Sequence, residues 1–285
     1  MTIHAMLLSM REKIMFIDKF TNYITCSLEV KEQINTVVGG LSSLLKSNLL
    51  GMYLHGSMVL GAFDEGCSDI DMLGIIENGL SVTDKIEIGS FLLSLNHKPC
   101  PVEVALVIKG NIIPWQYPTI CHFYFSDYWT LQYQQFSIGE NLTHNLLSGH
   151  LTDYEKDIAT DIRLIKQTGI CLYGLSINGL LPEIPEEHFW DSISSDAASF
   201  YVESDIDSQS SYLVLSLCRI LAYKKTGKIL SKQKAANWAL DILQTSYHPI
   251  ILTALYNHYG LGAKISYTKN DALLFKNYMV EQINT

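Results

Sequence analysis

The sequence has 285 residues, which corresponds to about two domains at about 150 residues per domain. Apolar residues make up 48% and charged residues only 17%, so the composition predicts one or two sizeable cores and argues against disorder. The formal charge is −9 and the chain has three arginines, which argues against nucleic-acid binding and favours a cationic small-molecule ligand. Simple solubility is the alternative explanation of the acidity.

The six cysteines are scattered and form no Cys-x-x-Cys pair, which excludes zinc ribbons and thioredoxin-like motifs. Scattered thiols are typical of a reducing compartment, so we expect a cytoplasmic protein. The sequence has no run of about 18 apolar residues and no basic segment before the apolar patch in residues 1–13. We therefore expect neither a membrane span nor a signal peptide.

Apolar periodicity predicts alternating helices and strands in the first part of the chain. The expected order is a helix over about 29–47, a buried strand over 49–54, a turn at 55–57, a strand over 69–76, a helix over 83–95 and a strand over 101–108. Strands separated by helices predict an α/β sheet.

Beyond about residue 153 the strand signal fades and helical periodicity takes over. Glycine and proline cluster between residues 174 and 185, which marks the best candidate linker. We therefore predict an α/β domain over 1–180 and an all-helical domain over 181–285. Helices are expected near 153–168, 187–201, 210–225, 231–244, 248–259 and 268–282.

The stretch that indicates chemistry joins a Gly-Ser turn to two aspartates. Gly56 permits close approach of a ligand, and the Ser57 hydroxyl with free N–H groups would cradle a phosphate, although Gly-Ser is usually only a turn. Asp69 and Asp71 share one face of a predicted strand, where two carboxylates repel each other unless a cation lies between them. Mg²⁺ suits such oxygen ligands, and a solvated pair is the alternative.

Glu103 interrupts the otherwise apolar strand over 101–108. A carboxylate buried there without a partner would be costly. If this strand lies beside that of Asp69 and Asp71, Glu103 joins them as a third metal ligand, a general base or both. An exposed glutamate on an edge strand is the alternative.

Gly56-Ser57, the run Ser68 to Asp71 and the later Glu103 resemble the signature of the nucleotidyltransferase superfamily. A closer similarity, over about residues 35–260, is to the aminoglycoside adenylyltransferases that modify streptomycin and spectinomycin. It leaves residues 1–25 as an extension without a counterpart. The segments that carry it are Pro-Val-Glu-Val at 101–104, Ile-Pro-Trp-Gln-Tyr-Pro at 113–118, Val-Leu-Ser-Leu-Cys-Arg-Ile at 214–220, Thr-Gly-Lys-Ile at 226–229 with Lys232, and Ala-Asn-Trp-Ala at 236–239.

The resemblance implies an α/β (α+β) nucleotidyltransferase domain with a mixed sheet, followed by an all-α domain, with the active site in the cleft between them. It implies that Asp69 and Asp71 hold Mg²⁺, and that Glu103 deprotonates the acceptor hydroxyl. The ATP-binding residues that it implies are Gly56, Ser57, Ser68, Arg219, Lys232 and Tyr259. The acceptor-binding residues that it implies are Asp205, Asp207, Gln209, Tyr128 and Phe200.

Physical reasoning adds to the interpretation of the two cations. Arg219 lies in an apolar helical segment, where a guanidinium needs an anion, with a structural ion pair as the alternative. Lys232 follows Ser231, a good N-cap, and a bound phosphate would reverse the penalty of a cation in the first helical turn. A solvated lysine is the alternative there. Tyr259, or its neighbour His258, matches a family tyrosine, with a core aromatic as the alternative.

The acceptor region departs from the family pattern. Gln209 replaces the aspartate that contacts both drugs, whereas Asp205 and Phe200 align with an aspartate and a tryptophan that contact streptomycin only. Asp207 lies close enough in sequence to occupy the vacant place. A family tryptophan of the cleft aligns with Tyr128, next to Trp129. Two further residues are given lesser roles: His55, in place of a family aromatic, as a neighbour of the site, and Cys67 as a buried inert thiol.

The expected reaction is transfer of AMP from ATP to a hydroxyl of streptomycin or spectinomycin, with release of pyrophosphate and antibiotic resistance as the result. One alternative keeps the chemistry and changes the acceptor to another antibiotic, a metabolite or a protein. The other is a non-catalytic nucleotide-binding or antitoxin-like protein. We expect a small cationic antibiotic as partner, no nucleic acid, no membrane and a monomer.

Overall fold

The computed structural model describes residues 10, 21–137, 154–199 and 206–285. This part of the chain divides into two compact units, of which one is Thr21–Ser192 and the other contains Ile193–Thr285. The domain boundary expected at residue 180 stays a prediction. Of the expected extension, residues 1–9 and 11–20 lie outside the described residues.

The first unit combines a mixed sheet with helices. Its elements, in chain order, are α1 (Leu28–Leu45), β1 (Leu49–Leu54), α2 (Gly56–Val59), β2 (Ile70–Ile76), α3 (Val82–Leu95), β3 (Val102–Ile108), α4 (Lys109–Ile112), β4 (Thr119–Ile120), β5 (Phe123–Phe125), α5 (Thr130–Ser137), β6 (Tyr154–Glu155), α6 (Asp157–Thr168), β7 (Ile170–Gly174), α7 (Ile177–Leu180) and α8 (Glu186–Ser199). The division between the two units falls within α8.

Five strands form the main sheet in the order β5-β3-β2-β1-β7. The β2–β3 pair is parallel and the other pairs are antiparallel. Side chains of α1 and α3 join those of β1, β2 and β3 in one apolar core. The expected fold class, an α/β unit with a mixed sheet, is confirmed.

The strand signal continues beyond residue 153, where it was expected to fade. β7 pairs antiparallel with β1, and β6 pairs with β4. β7 has five residues, the last of which is the positive-φ Gly174, and it is an edge strand with its side chains half-buried or exposed. Its apolar run, Ile-Cys-Leu-Tyr, has only four residues, and periodicity alone does not distinguish so short a run from part of a helix.

The second unit is helical throughout its described residues. Its helices are α9 (Ile206–Thr226), α10 (Lys232–Ile242), α11 (His248–His258) and α12 (Lys269–Asn284). α9 packs against each of the other three. Ser231 and Thr268 cap α10 and α12 as helix N-caps, each by accepting a backbone N–H of the first turn. No helix in either unit, as far as described, has both the length and the apolarity needed to cross a bilayer.

Two buried amides fix the start of β3, the strand that carries Glu103. The Gln33 side chain donates to the carbonyl oxygens of Leu95 (2.9 Å) and Cys100 (2.7 Å) and accepts from the Cys100 N–H (3.1 Å). The Asn96 side chain accepts from the Val102 N–H at 2.9 Å. Because these groups are buried, each lost hydrogen bond would leave an unsatisfied polar atom. The entry into β3 is therefore held by α1 and by the end of α3.

Candidate active site

The turn between β1 and α2 is built against Asp71. The His55 N–H donates to the Asp71 carbonyl oxygen at 3.0 Å, and Gly56 adopts φ +69°. A Cβ atom on residue 56 would collide with the carboxylate of Asp71. Glycine is therefore required at position 56 because the Asp71 side chain occupies the space where a Cβ atom would lie. The sequence alone suggested a different reason, the close approach of a ligand.

Ser57 supplies the hydrogen-bonding group of this turn. Its hydroxyl oxygen is buried and has no hydrogen-bond partner among the described residues. An unsatisfied buried hydroxyl is costly, and a ligand oxygen placed there would relieve that cost. Because α2 has a single turn, its dipole is weak, and the serine hydroxyl is the stronger support for a phosphate cradle.

Asp71 and Glu103 are brought together by the sheet. β2 and β3 run parallel in a register that pairs these two residues. Both side chains therefore lie on the same face of the sheet, as the sequence required for a shared site. β3 lies between β2 and β5, so Glu103 is half-buried in an interior strand and the edge-strand alternative is wrong.

Tyr124 on β5 is a site neighbour that the sequence did not indicate. It is paired with Ala105 of β3, which lies on the same face as Glu103, so the Tyr124 side chain is a diagonal neighbour of Glu103. Burial raises the pKa of Tyr124, and the Glu103 carboxylate raises it further. The strand that carries Tyr124 has only three residues, so periodicity gave no signal for it.

Asp69 precedes β2 and is exposed at the end of a turn that Asp64 organises. The buried Asp64 carboxylate accepts from the Gly66 N–H at 3.0 Å and from the Cys67 thiol at 3.3 Å. The Ser68 hydroxyl accepts from the Asp64 N–H at 3.0 Å. Cys67 is exposed, so the expectation of a buried thiol is wrong, because the turn directs residues 65–67 to the surface.

The expected metal-binding trio is not a preformed centre. Within the part of the chain that the structure describes, no three His, Cys, Asp or Glu side chains are grouped to hold a metal ion. Mg²⁺ in nucleotide-dependent enzymes binds through one or two carboxylates and completes its shell with phosphates and water. Asp71 is paired with Glu103, and Asp69 comes immediately before β2. This arrangement fits that mode of binding.

Asp161 adds a further carboxylate close to these residues. Its Oδ1 lies 3.6 Å from Nδ1 of His55, and its side chain is about 25% exposed. Desolvation and nearby carboxylates, including Glu103 and Asp71, raise the pKa of Asp161 well above its ordinary value. Burial lowers the pKa of His55 to about 4, so this imidazole is neutral near pH 7 and does not form an ion pair. His55 is thus a neighbour of the site, in agreement with its expected role.

A pattern in the sequence could have indicated Asp161. It lies on α6 three residues after the buried Ile158 and four before the buried Ile165. These spacings place it on the apolar face of the helix, where a carboxylate is unusual.

The second unit places the two expected nucleotide-binding cations near the start of α10. The half-buried Arg219 donates from Nε to the Leu230 carbonyl oxygen at 3.3 Å, and no carboxylate partner is found for it among the described residues. Lys232 is the first residue of α10, and its Nζ lies 5.1 Å from the centre of the Tyr212 ring. The ion-pair alternative for Arg219 therefore has no support from this part of the chain.

The remaining expected residues differ in how far they can be described. Tyr259 is buried with 4% exposure, which supports the core-aromatic alternative, and its ring contacts that of His258 edge-on. Tyr128 is 79% exposed and lies edge-on to the ring of Trp129 at 5.0 Å. Four acceptor residues remain without a structural account: Asp205 and Phe200 lie outside the described residues, and for Asp207 and Gln209 at the start of α9 only the backbone is described.

The Trp-Gln-Tyr-Pro segment has a packing role within the first unit. Nε1 of Trp115 donates to Nδ1 of His188 at 3.0 Å, and the Tyr117 ring stacks on that imidazole at 4.5 Å. The Tyr117 hydroxyl donates to Asp191 at 2.7 Å. This segment therefore anchors the first two turns of α8.

Comparison with known proteins gives consistent results. Residues 179–282 match the family model for the aminoglycoside adenylyltransferase C-terminal domain. An aminoglycoside (3'')(9) adenylyltransferase of Shigella flexneri is 28% identical, over 90% of this chain and 95% of its own. A spectinomycin 9-adenylyltransferase of Campylobacter jejuni is 25% identical, over 90% of this chain and 96% of its own.

A solved structure shows the same fold. A spectinomycin adenyltransferase of Enterococcus faecalis, crystallised with ATP and spectinomycin, matches with a TM-score of 0.74 and 23% identity, covering 90% of this chain and 99% of that one. This chain therefore shares the fold of that adenyltransferase. The resemblance to the aminoglycoside adenylyltransferases is confirmed by these comparisons, and so is the expected enzyme class, an aminoglycoside nucleotidyltransferase.

We expect Gly56→Ala to damage the site and Gly61→Ala to act as its matched control. Both glycines have positive φ, +69° and +66°, but a Cβ on residue 61 meets nothing within 4 Å. Each alanine should cost about 1–2 kcal/mol for the left-handed backbone. Gly56→Ala should cost about 1–3 kcal/mol more because it displaces Asp71. Urea unfolding measures the free energy of unfolding of both variants. Equal losses of stability would contradict the proposed packing of Asp71 on Gly56.

Proposed function

We propose that this chain transfers AMP from ATP to a hydroxyl of an aminoglycoside-type antibiotic, releases pyrophosphate and so confers resistance. The observation that carries the proposal is the pairing of Asp71 with Glu103 beside the Gly56–Ser57 turn. The similarity to adenylyltransferases over most of the chain supports the choice of reaction.

In this proposal, residues of the first unit bind Mg²⁺ and the phosphates of ATP. Asp69 and Asp71 would hold Mg²⁺, with Glu103 as a further ligand, and the bound ion would offset the negative charge of the phosphates and of the leaving pyrophosphate. The Ser57 hydroxyl would donate a hydrogen bond to a phosphate oxygen, and Gly56 leaves room for the Asp71 carboxylate beside that turn. Ser68 holds the turn that precedes Asp69.

Glu103 acts as the general base in this proposal. Its carboxylate accepts the proton of the acceptor hydroxyl as that oxygen attacks the α-phosphorus of ATP. A carboxylate in this role is most effective when its position is fixed, and the interior position of β3 provides that constraint.

Arg219, Lys232 and Tyr259 of the second unit bind ATP in this proposal. The absence of a carboxylate partner for Arg219 among the described residues leaves its charge available to a phosphate. Lys232 stands in the first turn of α10, where an anion is favoured by the helix dipole. Because Tyr259 is buried, its part in this proposal is to support the site from the core of the second unit.

For the acceptor, we propose a small cationic antibiotic, as the names of the relatives suggest. The exposed Tyr128 ring is available for stacking, and Asp205, Asp207, Gln209 and Phe200 would complete the acceptor contacts. The net charge of −9 favours binding of a cation. The transferase is proposed to act as a monomer.

We expect Glu103→Gln to retain ATP binding and to lose catalysis. The amide preserves the shape of the side chain but is not a base, and loss of a general base lowers rates by about 10²–10⁴-fold. Glu87→Gln, at an exposed position on α3, is the matched control and should keep full activity. Pyrophosphate release, with mass spectrometry to detect an AMP adduct of the drug, measures the effect. Near-full activity of Glu103→Gln at neutral pH would exclude Glu103 as the base.

We expect Lys232→Ala to lose much of the thermal protection that ATP with Mg²⁺ gives to the native chain. A ligand that binds only the native state stabilises it by RT ln(1 + [L]/Kd), so weaker binding gives a smaller rise in melting temperature. Lys228→Ala, at an exposed position four residues earlier, is the control. Differential scanning fluorimetry with and without ATP compares the shifts. An undiminished shift in Lys232→Ala would remove this lysine from the ATP site.

We expect streptomycin to be a better acceptor than spectinomycin, with low rates on both. Gln209 replaces an aspartate that serves both drugs in the family, and losing a charge-assisted hydrogen bond forfeits about 1.5–3 kcal/mol. The guanidinium groups of streptomycin can still pair with Asp205. Steady-state rates of the wild type and of Gln209→Asp on both drugs test this preference and the role of residue 209. A wild type that prefers spectinomycin, or a Gln209→Asp variant that gains nothing, would contradict this assignment.

A further inference from the structure

The amide of Asn96 joins the start of β3 to the turn that carries Tyr128. We infer that Asn96 and Asp127 are positioning residues for the acceptor: their hydrogen bond holds the Tyr128 turn beside the strand that carries Glu103. The inference rests on the proposed function, which assigns Tyr128 to the acceptor. All of these residues belong to the first unit.

The sheet brings the Tyr128 turn to the end of β3 at which Glu103 lies. β3 and β5 are antiparallel, and Val104 is paired with Phe125, the last residue of β5. The chain that leaves β5 therefore passes the start of β3, where Glu103 is the second residue. A 3₁₀ turn over Asp127–Trp129 follows at once, and it carries the exposed ring of Tyr128.

The Asn96 side chain follows α3 and uses both ends of its amide. Its Oδ1 accepts from the Val102 N–H at 2.9 Å, whereas its Nδ2 donates to Oδ1 of Asp127 at 3.0 Å and to Oγ1 of Thr130 at 3.3 Å. These partners determine the orientation of the amide, because a backbone N–H needs an acceptor and a carboxylate needs a donor. Asn96 is only 7% exposed, so a lost partner would leave a buried polar atom unsatisfied. One side chain thus ties the first residue of β3 to the turn after β5.

Asp127 accepts from donors on both sides of the turn. Nε2 of His97 lies 2.7 Å from its Oδ1, and the Thr130 hydroxyl donates to the same oxygen at 3.4 Å. Burial alone would raise the pKa of Asp127, but the hydrogen bonds of His97 and Asn96 lower it below its ordinary value. The carboxylate is therefore ionised at neutral pH, and hydrogen bonds to an ionised group are stronger than neutral ones. Because His97 and Asp127 are both more than half exposed, their contact contributes little, and the buried Asn96 is the stronger anchor.

The anchor acts on the acceptor through the backbone of the turn. The Tyr128 ring extends into solvent and contacts the Trp129 ring edge-on at 5.0 Å. A ring whose backbone is already fixed loses less conformational freedom when a ligand binds to it. Asn96 and Asp127 should therefore affect the affinity for the antibiotic rather than the chemical step, since neither is assigned a contact with ATP or with Glu103.

We expect Asp127→Ala to raise the KM of the antibiotic by about 3- to 10-fold, because the released turn must be ordered on binding. kcat and the KM of ATP should stay within about two-fold of the wild type. Asp127→Asn keeps an oxygen that can accept from Asn96, so it should restore most of the affinity. Glu77→Ala is the matched control: it removes an exposed carboxylate from an ion pair with Lys109, at 3.1 Å, and should change none of these constants.

A double-mutant cycle with Tyr128→Ala separates positioning from a general loss of structure. In the Tyr128→Ala background, Asp127→Ala should have no further effect on the KM of the antibiotic, because the ring that it positions is absent. Equal effects in both backgrounds, an equal rise in the KM of ATP, or an unchanged antibiotic KM in either single variant would overturn the inference. A wild type that transfers no AMP to any antibiotic would instead overturn the proposed function, and the inference with it.

Discussion

The packing of the Asp71 carboxylate on the Cα of Gly56 constrains the rest of the candidate active site. Asp71 can occupy this position only because residue 56 has no Cβ and a positive φ. With Asp71 fixed, the parallel register of β2 and β3 determines where Glu103 lies. A slip of one residue would send Glu103 to the opposite face of the sheet. The hydrogen bonds of Gln33 and Asn96 oppose that slip, because they fix the residues immediately before Glu103.

The same arrangement brings carboxylates together in the first unit. Desolvation is the largest cause of the raised pKa of Asp161, and the charges of Asp157, Glu103 and Asp71 raise it further. His55 does not offset this charge, since its burial keeps it neutral near pH 7. A divalent cation that accompanies a nucleotide would reverse the electrostatic balance. In the proposed site, Mg²⁺ would bring positive charge to these carboxylates.

Much of the fold and the central part of the site could be predicted from the sequence. The strand at 49–54 and the glycine-serine turn followed local patterns, and Glu103 was indicated by a charge in an apolar run. Tyr124 and Asp161 could not be found in this way, because each reaches the site through the pairing or packing of elements distant in sequence. β7 escaped detection because its apolar run of four residues is too short for periodicity to identify as a strand. Local periodicity reports which face of an element is buried but not which elements become neighbours.

These differences separate two kinds of residue in the site. Gly56, Asp71 and Glu103 are the residues on which the proposed reaction depends, and their spacing follows the motif. Tyr124 and Asp161 lie beside these residues without belonging to the motif, and other side chains at their positions would be compatible with the fold. A motif search detects the first kind and passes over the second. In the proposed reaction the electrostatic field at the carboxylates affects the transition state, so the rate would depend on residues that the motifs do not contain.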